Sequence, residues 1–297
     1  MAAIETQSLT RRYGGRRGIE GVNLSVPEGS LFGFLGPNGA GKTTTIRVML
    51  GLLRPTSGTA AIRGLDCWRE SPRVKREVGY VPGDLRLYPW LNGRRSLRFV
   101  GAARGMDLSR HGDELGQMFD LDMSVPVRRM SRGMRQKLGL IMALAPEPRV
   151  LIMDEPTSAL DPLMQDRLRE HLRGLARRGH TVFFSSHTLG EVELLCDRIA
   201  IVREGRLVAD ASLDTIRRQA GRAVTIRWRE SPAPPPEPPA FLRVTRRDGR
   251  TWVGVHEGPL DPLLAWLHGL PIEDLSIAPP DLETLFRQYY RPGGEGA

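Results

Sequence analysis

Lysine is nearly absent from the 297-residue sequence. Lys42, Lys75 and Lys137 are the only lysines among its 43 basic residues, and the other 40 are arginines. The net charge of +9 therefore comes from arginines that are scattered along the chain and form no single basic run. This skew is more typical of a GC-rich genome than of a binding surface, and no RNA-binding aromatic box accompanies it. A nucleic-acid partner is not expected.

Cysteine and long apolar runs are also scarce. Cys67 and Cys196 are far apart and lack metal-like spacing, which favours a reduced cytosol and no structural disulfide. No apolar run approaches the roughly 18 residues that a membrane span requires, and the N-terminus does not have the pattern of a secretion signal. The length, the 40% apolar content and the 33 glycines favour an α/β protein with one large and one smaller domain.

The most informative motif follows the apolar stretch Leu31–Leu35, which we expect to be a buried strand. A GxxxxGK[ST] phosphate-binding loop comes next, and a helix is predicted after it. Glycines let successive backbone N–H groups turn towards a phosphate, and the N-terminal end of the helix favours the same anion. Lys42 would bind the β- and γ-phosphate oxygens, and the Thr43 hydroxyl would hold Mg²⁺. The predicted nucleotide-binding residues of this loop are Gly36, Pro37, Asn38, Gly39, Ala40, Gly41, Lys42, Thr43 and Thr44.

A second motif ends the apolar stretch Val150–Met153 with two carboxylates, Asp154 and Glu155. In phosphate-loop ATPases a carboxylate at the end of a strand beside the loop holds Mg²⁺, and Asp154 suits this role. Glu155 would then face the γ-phosphate and deprotonate the attacking water. Taken alone, the pair is better explained as two solvated acids at a strand end. The complete phosphate loop upstream favours the catalytic interpretation.

Three further segments complete an ordered set. The segment Met130–Met134 precedes an apolar helix, Ser158–Asp161 follows the paired carboxylates, and a strand at Thr181–Phe184 leads to His187. With the two motifs above, this order resembles the ATP-binding cassette (ABC) family over roughly residues 3–220. Met130–Met134 stands where that family has its LSGGQ signature, and Ser158–Asp161 matches its D-loop.

The resemblance implies a mechanism. Two cassettes of the family face each other head to tail, and each ATP lies between the phosphate loop of one subunit and the signature of the other. Ser131, Arg132 and Gly133 would thus act in trans, Asp161 would serve in the D-loop, and His187 would hold the γ-phosphate and the lytic water. Tyr13 occupies the place of the aromatic ring that stacks on adenine. The implied ligands are ATP and Mg²⁺, and the implied partners are a second cassette and separate membrane permease subunits.

The sequence departs from the family at two positions. Gly83 stands where the family usually has a glutamine that touches Mg²⁺, so Asp84 or a water molecule is expected to take that place. Arg132 replaces the first glycine of the signature, and we expect it to pair with phosphate on the partner subunit or to be solvated at the helix start.

The predicted fold class is α/β, a P-loop NTPase cassette over residues 1–220 with a helical subdomain at about 84–145. A small α+β domain is predicted at 221–297, with a proline-rich segment at 231–239, a hairpin around Asp248-Gly249 and a segment at 280–290. Trp90 and Leu91 could contact a membrane subunit, although core packing is the simpler expectation for an aromatic residue. The remaining histidines, which belong to no motif, are expected at the surface: His111, His171, His180, His256 and His268.

These features predict the ATPase subunit of a bacterial drug or antibiotic exporter at the cytoplasmic face of the cell membrane. Two alternatives stay open at this point. An importer cassette is the closer rival, but the C-terminal tail and the missing glutamine favour export. A non-transport cassette ATPase acting on ribosomes or DNA would usually have two cassettes or a long coiled-coil insertion, and neither occurs in this sequence.

Overall fold

The computed structural model describes residues 1–14, 16–230 and 236–278. The chain divides into two compact units, Met1–Ala211 and Ser212–Ala297. This division lies nine residues before the predicted boundary at 220/221, because a helix that the sequence analysis gave to the cassette belongs to the second unit. Residues 231–235 of the proline-rich segment and the predicted segment 280–290 lie outside the described residues.

The first unit alternates strands and helices. In chain order its elements are β1 Ala2–Tyr13, β2 Arg16–Pro27, β3 Leu31–Leu35, α1 Lys42–Met49, β4 Ser57–Ile62, β5 Leu65–Asp66, α2 Ser71–Glu77, β6 Val78–Val81, α3 Gly93–Arg104, α4 Ser109–Met118, α5 Arg132–Leu144, β7 Val150–Asp154, α6 Pro162–Arg177, β8 Thr181–Ser186, α7 Leu189–Leu195, β9 Arg198–Arg203 and β10 Arg206–Ser212.

The central sheet has the spatial order β10-β9-β3-β8-β7-β6. Strand β8 lies between β3 and β7 and is parallel to both, so the strand carrying Asp154 is two places away from the one that precedes the phosphate loop. The register pairs Leu35 with Ser186 and Asp154 with Ser185. The carboxyl ends of the three strands therefore meet at one edge of the sheet, where open α/β sheets bind their ligands.

A second sheet of the same unit, with the order β2-β1-β4-β5, packs with the central sheet around one apolar core. Ile4 and Leu9 come from this sheet, Phe32 and Phe183 from the central one, and Ile46 from α1. The rings of Phe32 and Phe183 stack with their centroids 5.9 Å apart. Burying such a side chain contributes about 1.5–3 kcal/mol, which fixes the strands that carry the polar residues at the sheet edge.

Helices α3, α4 and α5 lie within the predicted helical subdomain. The side chain of Asn92 caps α3 by accepting a hydrogen bond from the backbone N–H of Arg95 at 2.9 Å. Trp90, for which core packing was expected, is 68% exposed, and its ring centroid lies 5.0 Å from that of Tyr88. Exposed aromatic side chains so close together are more typical of a contact surface than of a core.

The second unit is α+β, as predicted. Its elements are α8 Leu213–Ala220, β11 Arg222–Trp228, β12 Leu242–Asp248, β13 Thr251–His256, α9 Leu260–Leu267 and β14 Ile272–Ala278. The sheet order is β12-β13-β11-β14, and β12 and β13 form the hairpin expected at Asp248-Gly249. Its core is apolar and includes Trp228, Trp252, Leu263 and Leu267.

Two of the histidines expected at the surface are buried instead, namely His180 and His256. His180 Nδ1 lies 2.8 Å from the carbonyl oxygen of Pro148, and both ring nitrogens of His256 lie within 3.0 Å of carbonyl oxygens. A ring whose polar atoms have such partners can be buried at low cost, which a sequence pattern does not reveal. Cys67 and Cys196 are both buried and free.

Candidate functional site

The phosphate-binding loop, residues 36–43, connects the fully buried strand β3 to α1. Gly39 and Gly41 have φ angles of 81° and 106°, a region that strongly favours glycine. A Cβ atom on Gly36 would lie 2.4 Å from the carbonyl oxygen of Val202, so no side chain fits there. These glycines let the backbone curl in front of the N-terminus of α1, where its N–H groups can bind an anion.

Lys42 is almost fully buried, with 5% of its side chain exposed. Its Nζ donates hydrogen bonds to the carbonyl oxygens of Gly36 at 2.6 Å and Pro37 at 3.3 Å. The same ammonium lies 3.2 Å from Oε1 of Glu155. The loop thus holds the Lys42 ammonium next to the carboxylate of Glu155, the predicted general base.

Thr43 and Asp154 are in direct contact although they lie 111 residues apart in the sequence. The Thr43 hydroxyl donates to Asp154 Oδ2 at 2.7 Å, and the Ser185 hydroxyl donates to Oδ1 at 2.6 Å. Asp154 is only 2% exposed, so its orientation is fixed by these two bonds. Burial, followed by the negative charge of Asp154, raises the pKa of the nearby Tyr80 to about 12, which keeps the phenol neutral.

These oxygens suit Mg²⁺. This cation prefers hard oxygen ligands and is usually bound by one or two protein groups together with substrate phosphates. A threonine hydroxyl and a buried carboxylate in contact, beside a phosphate-binding loop, are such a pair. Among the described residues no cluster of three or more His, Cys, Asp or Glu forms a site for another metal.

Glu155 lies between the phosphate loop and the predicted switch histidine. Its Oε1 faces Lys42, and its Oε2 lies 3.2 Å from Nδ1 of His187. The backbone of Glu155 has a φ angle of 49°, which is uncommon for a residue other than glycine, and its N–H donates to the carbonyl oxygen of Ser185 at 3.1 Å. The strained turn aims the carboxylate out of the sheet edge, and His187 is about half exposed beside it.

The signature and D-loop residues form a separate group. Ser131 caps α5 by accepting from the N–H of Met134 at 3.1 Å, and Asp161 caps α6 in the same way through Met164 at 3.0 Å. A Cβ atom on Gly133 would lie 3.0 Å from the carbonyl oxygen of Ala159, so the two segments pack together. Within the described ranges, no side-chain hydrogen bond or ion pair joins this group to Lys42, Asp154 or Glu155, although the backbone N–H of Ser158 donates to the carbonyl oxygen of Glu155 at 3.4 Å.

The remaining predicted residues lie around the loop. Tyr13 ends β1 and is 42% exposed. Asn38 is exposed, Ala40 is buried and Thr44 is partly buried. Asp84 has a 73% exposed side chain that pairs with Arg86 at 3.0 Å. Gly83 faces the carboxylate instead, because a Cβ atom placed on it would lie 3.5 Å from Asp154 Oδ2.

Two residues of this site were missed by the sequence analysis. Glu191 on α7 accepts hydrogen bonds from Thr157 at 2.8 Å and from Ser186 at 2.6 Å, and so ties the segment after Glu155 to the strand before His187. Gln136 on α5 is buried and donates to the carbonyl oxygen of Pro156 at 2.8 Å. In the sequence, an amide on an otherwise apolar helix face pointed to Gln136. No local sequence pattern pointed to Glu191.

The fold and the site together define a P-loop ATPase of the cassette type. Residues 19–158 match the family model described as ABC transporter. The chain is 36% identical over 219 residues to the bacitracin transport ATP-binding protein of Bacillus licheniformis, covering 73% of this chain and 72% of that one. It is 37% identical over 224 residues to a daunorubicin resistance ATP-binding protein of Streptomyces coeruleorubidus, covering 74% and 71%.

A solved structure of the ATP-binding subunit of an ABC transporter is also similar. It has a TM-score of 0.69 and 32% identity, and the match covers 73% of this chain and 92% of that one. The chain belongs to the ABC transporter family of ATP-binding proteins, and it binds and hydrolyses ATP. Among the described residues no helix is long and apolar enough to cross a membrane.

Proposed function

We propose that this chain powers a bacterial drug or antibiotic exporter as its ATP-hydrolysing subunit. One observation carries the chemical part of the proposal: the Glu155 carboxylate is held between the Lys42 ammonium and the His187 imidazole, each 3.2 Å away. The relatives named for bacitracin transport and daunorubicin resistance support the choice of export.

Each side chain has a role in hydrolysis that follows from its position. Glu155 accepts the proton of the attacking water as general base, and His187 orients the water and the γ-phosphate. Lys42 and the N–H groups of residues 36–43 bind the phosphate oxygens and stabilise the charge that develops on them. Thr43 and Asp154 would hold Mg²⁺, which supplies electrostatic stabilisation of the phosphates when it is bound.

Asp84 stays a candidate for the same cation. Its exposed carboxylate pairs with Arg86, so it would have to leave that partner to reach the site. If it does so, Asp84→Ala raises the Mg²⁺ concentration needed for ATPase activity. If the Mg²⁺ dependence stays unchanged, water takes the place beside Gly83.

The partners follow from the arrangement of the remaining residues. Ser131, Arg132, Gly133 and Asp161 lie in a group of their own, which suits contact with the ATP of a second cassette. ATP binding would then close a homodimer and hydrolysis would reopen it. Separate permease subunits would form the pathway, with the chain at the cytoplasmic face of the membrane and with the exposed Tyr88 and Trp90 rings as contacts for them.

The nucleotide site is tested by a binding titration with Lys42→Ala and the control Lys137→Ala. Charge-assisted hydrogen bonds are each worth about 1.5–3 kcal/mol, so the Lys42 variant should lose about ten- to a hundredfold in ATP affinity. Lys137 lies outside the site, so Lys137→Ala should bind ATP as the wild type does. Equal affinity of both variants would contradict the site.

Export is tested by co-expressing this chain with a candidate permease. Inverted vesicles that contain both proteins should accumulate daunorubicin or bacitracin only when ATP is supplied, and Glu155→Gln should abolish the accumulation. An ATP-dependent release of a preloaded compound would favour an importer. ATPase activity stimulated by ribosomes or DNA, without any transport, would favour a non-transport cassette ATPase.

A further inference from the structure

Arg11 lies against the predicted nucleobase-binding ring. Its guanidinium carbon is 5.1 Å from the centroid of the Tyr13 ring and above the ring face. Its Nη1 donates to the carbonyl oxygen of Arg54 at 3.0 Å, whereas its Nε is buried and has no hydrogen-bond partner in the described part of the chain. The guanidinium is therefore held against an aromatic face at the expense of a hydrogen bond.

Gly18 leaves room for this arrangement. A Cβ atom on Gly18 would lie 2.9 Å from Cε2 of Tyr13 and 2.5 Å from the carbonyl oxygen of Arg11, so any side chain would displace the ring. The carbonyl oxygen of Gly18 lies 3.3 Å from the place that a Cβ atom of Gly41 would take. Gly18 thus lies against both the Tyr13 ring and Gly41 of the phosphate loop.

We propose that Arg11 is a positioning residue for the base of the bound purine nucleotide. It holds one face of the Tyr13 ring through a cation–π contact, and the base stacks on the other face. This inference rests on the proposed function, because it takes Tyr13 as the stacking residue. A tyrosine that is already held in place loses less freedom when the base binds, so the contact increases affinity without touching the nucleotide.

The neighbouring Arg12 provides a matched control. Its side chain is 60% exposed and pairs with Glu20 at 3.1 Å, away from the contact with Tyr13. Arg12→Gln removes the same charge from the same strand as Arg11→Gln does. Any loss that reflects only a weaker positive field around the triphosphate should therefore appear in both variants.

The experiment compares the affinities of the full-length variants for ATP and for inorganic tripolyphosphate, which has no base. A partly exposed cation–π contact predicts that Arg11→Gln weakens ATP binding by about three- to tenfold. Tripolyphosphate binding should not change, and Arg12→Gln should bind both ligands normally. In a Tyr13→Ala background, Arg11→Gln should cause no additional loss, and Arg11→Lys should recover part of the affinity in the wild-type background.

Three results would overturn the inference. They are an unchanged ATP affinity in Arg11→Gln, an equal loss for tripolyphosphate, or a loss that persists in the Tyr13→Ala background. If Arg11→Gln does not fold, as judged by thermal unfolding, Arg11→Lys takes its place. A partial loss of ATP affinity that is absent in the Tyr13→Ala background then supports the inference. An unchanged affinity, or a loss that persists in that background, overturns it. A wild-type protein that binds neither ligand would instead overturn the proposed function.

Discussion

The two units of the molecule differ in what they bury. The first buries Lys42, Asp154 and Ser185 at the carboxyl edge of a parallel sheet, where each polar group has a partner. The second has an apolar core, and among its described residues His256 is the one buried polar side chain. Burying charged and polar groups costs free energy unless they are paired and hydrogen-bonded, so a fold that buries several of them at one edge points to a function there. We infer that the chemistry belongs to the first unit and that the second contributes packing or contact surface.

The largest expected effect concerns Glu155, the proposed general base. Glu155→Gln keeps the shape of the side chain but cannot accept a proton, so ATP turnover should fall by about 10²–10⁴-fold. ATP binding should persist, because Lys42 and the loop remain. Turnover is measured as phosphate release under saturating ATP.

The exposed Glu170 on α6 provides the control for this variant. Glu170→Gln should hydrolyse ATP at the wild-type rate. Near-normal turnover of Glu155→Gln would remove Glu155 from the role of general base.

The next effect tests the independence of the second unit. Trp228 is 2% exposed, and its ring centroid lies 5.1 Å from that of Trp252. Trp228→Ala should destabilise this unit by about 3–5 kcal/mol. Hydrogen exchange should rise in peptides from residues 222–228 and 242–278, whereas ATP affinity and exchange in residues 31–43 should not change.

Trp90→Ala is the matched control, because that side chain is 68% exposed and its loss should leave both exchange patterns unchanged. A loss of ATP binding in Trp228→Ala would contradict the separation of the two units. Deleting residues 212–297 should agree with the point variant, with ATP binding retained and association or export weakened.

A smaller effect is expected from Glu191, which acts only through its neighbours. Glu191→Gln keeps one acceptor oxygen, so it loses one of the two hydrogen bonds from Thr157 and Ser186 and weakens the other, since bonds to a charged group are about twice as strong as neutral ones. We expect turnover to fall by about tenfold with ATP affinity unchanged, because a displaced Glu155 or His187 affects the reacting water. Equal losses in affinity and turnover would indicate a general loss of structure.

The smallest effect concerns Arg132, an exposed residue at the start of α5. If it pairs with phosphate across the dimer, Arg132→Ala should weaken ATP-driven association, and the loss should shrink at high salt. Arg132→Gly should be milder. Equal or stronger association of Arg132→Ala at both salt concentrations would leave Arg132 as a solvated residue at a helix N-terminus.

The sequence predicted the two strands that carry the candidate site well. The strand Leu31–Leu35 has the predicted bounds, and the strand Val150–Asp154 extends one residue beyond its apolar run. Both are short apolar runs bounded by motif residues, and this pattern leaves little freedom in the fold. The contact of Thr43 with Asp154 follows from their motifs, since the loop and the strand end must meet at one sheet edge.

Other features depend on distant contacts that leave no local pattern. The bridge from Glu191 to Thr157 spans 34 residues and exists only because α7 packs beside the strand ends. The burial of His180 depends on the carbonyl oxygen of Pro148, which the chain brings close only when folded. The start of the second unit at Ser212 was missed because the helix 213–220 follows the cassette strands without a glycine or proline break.

The most direct test of the account is the mass of the Glu155→Gln protein in solution, measured by light scattering with Mg²⁺ and with or without ATP. We predict a monomer without ATP and twice that mass with it, because ATP held on the phosphate loop would be covered by the signature segment of a second copy. The double variant with Lys42→Ala should stay monomeric in both conditions. A Glu155→Gln protein that binds ATP and yet keeps the mass of a monomer would contradict the account.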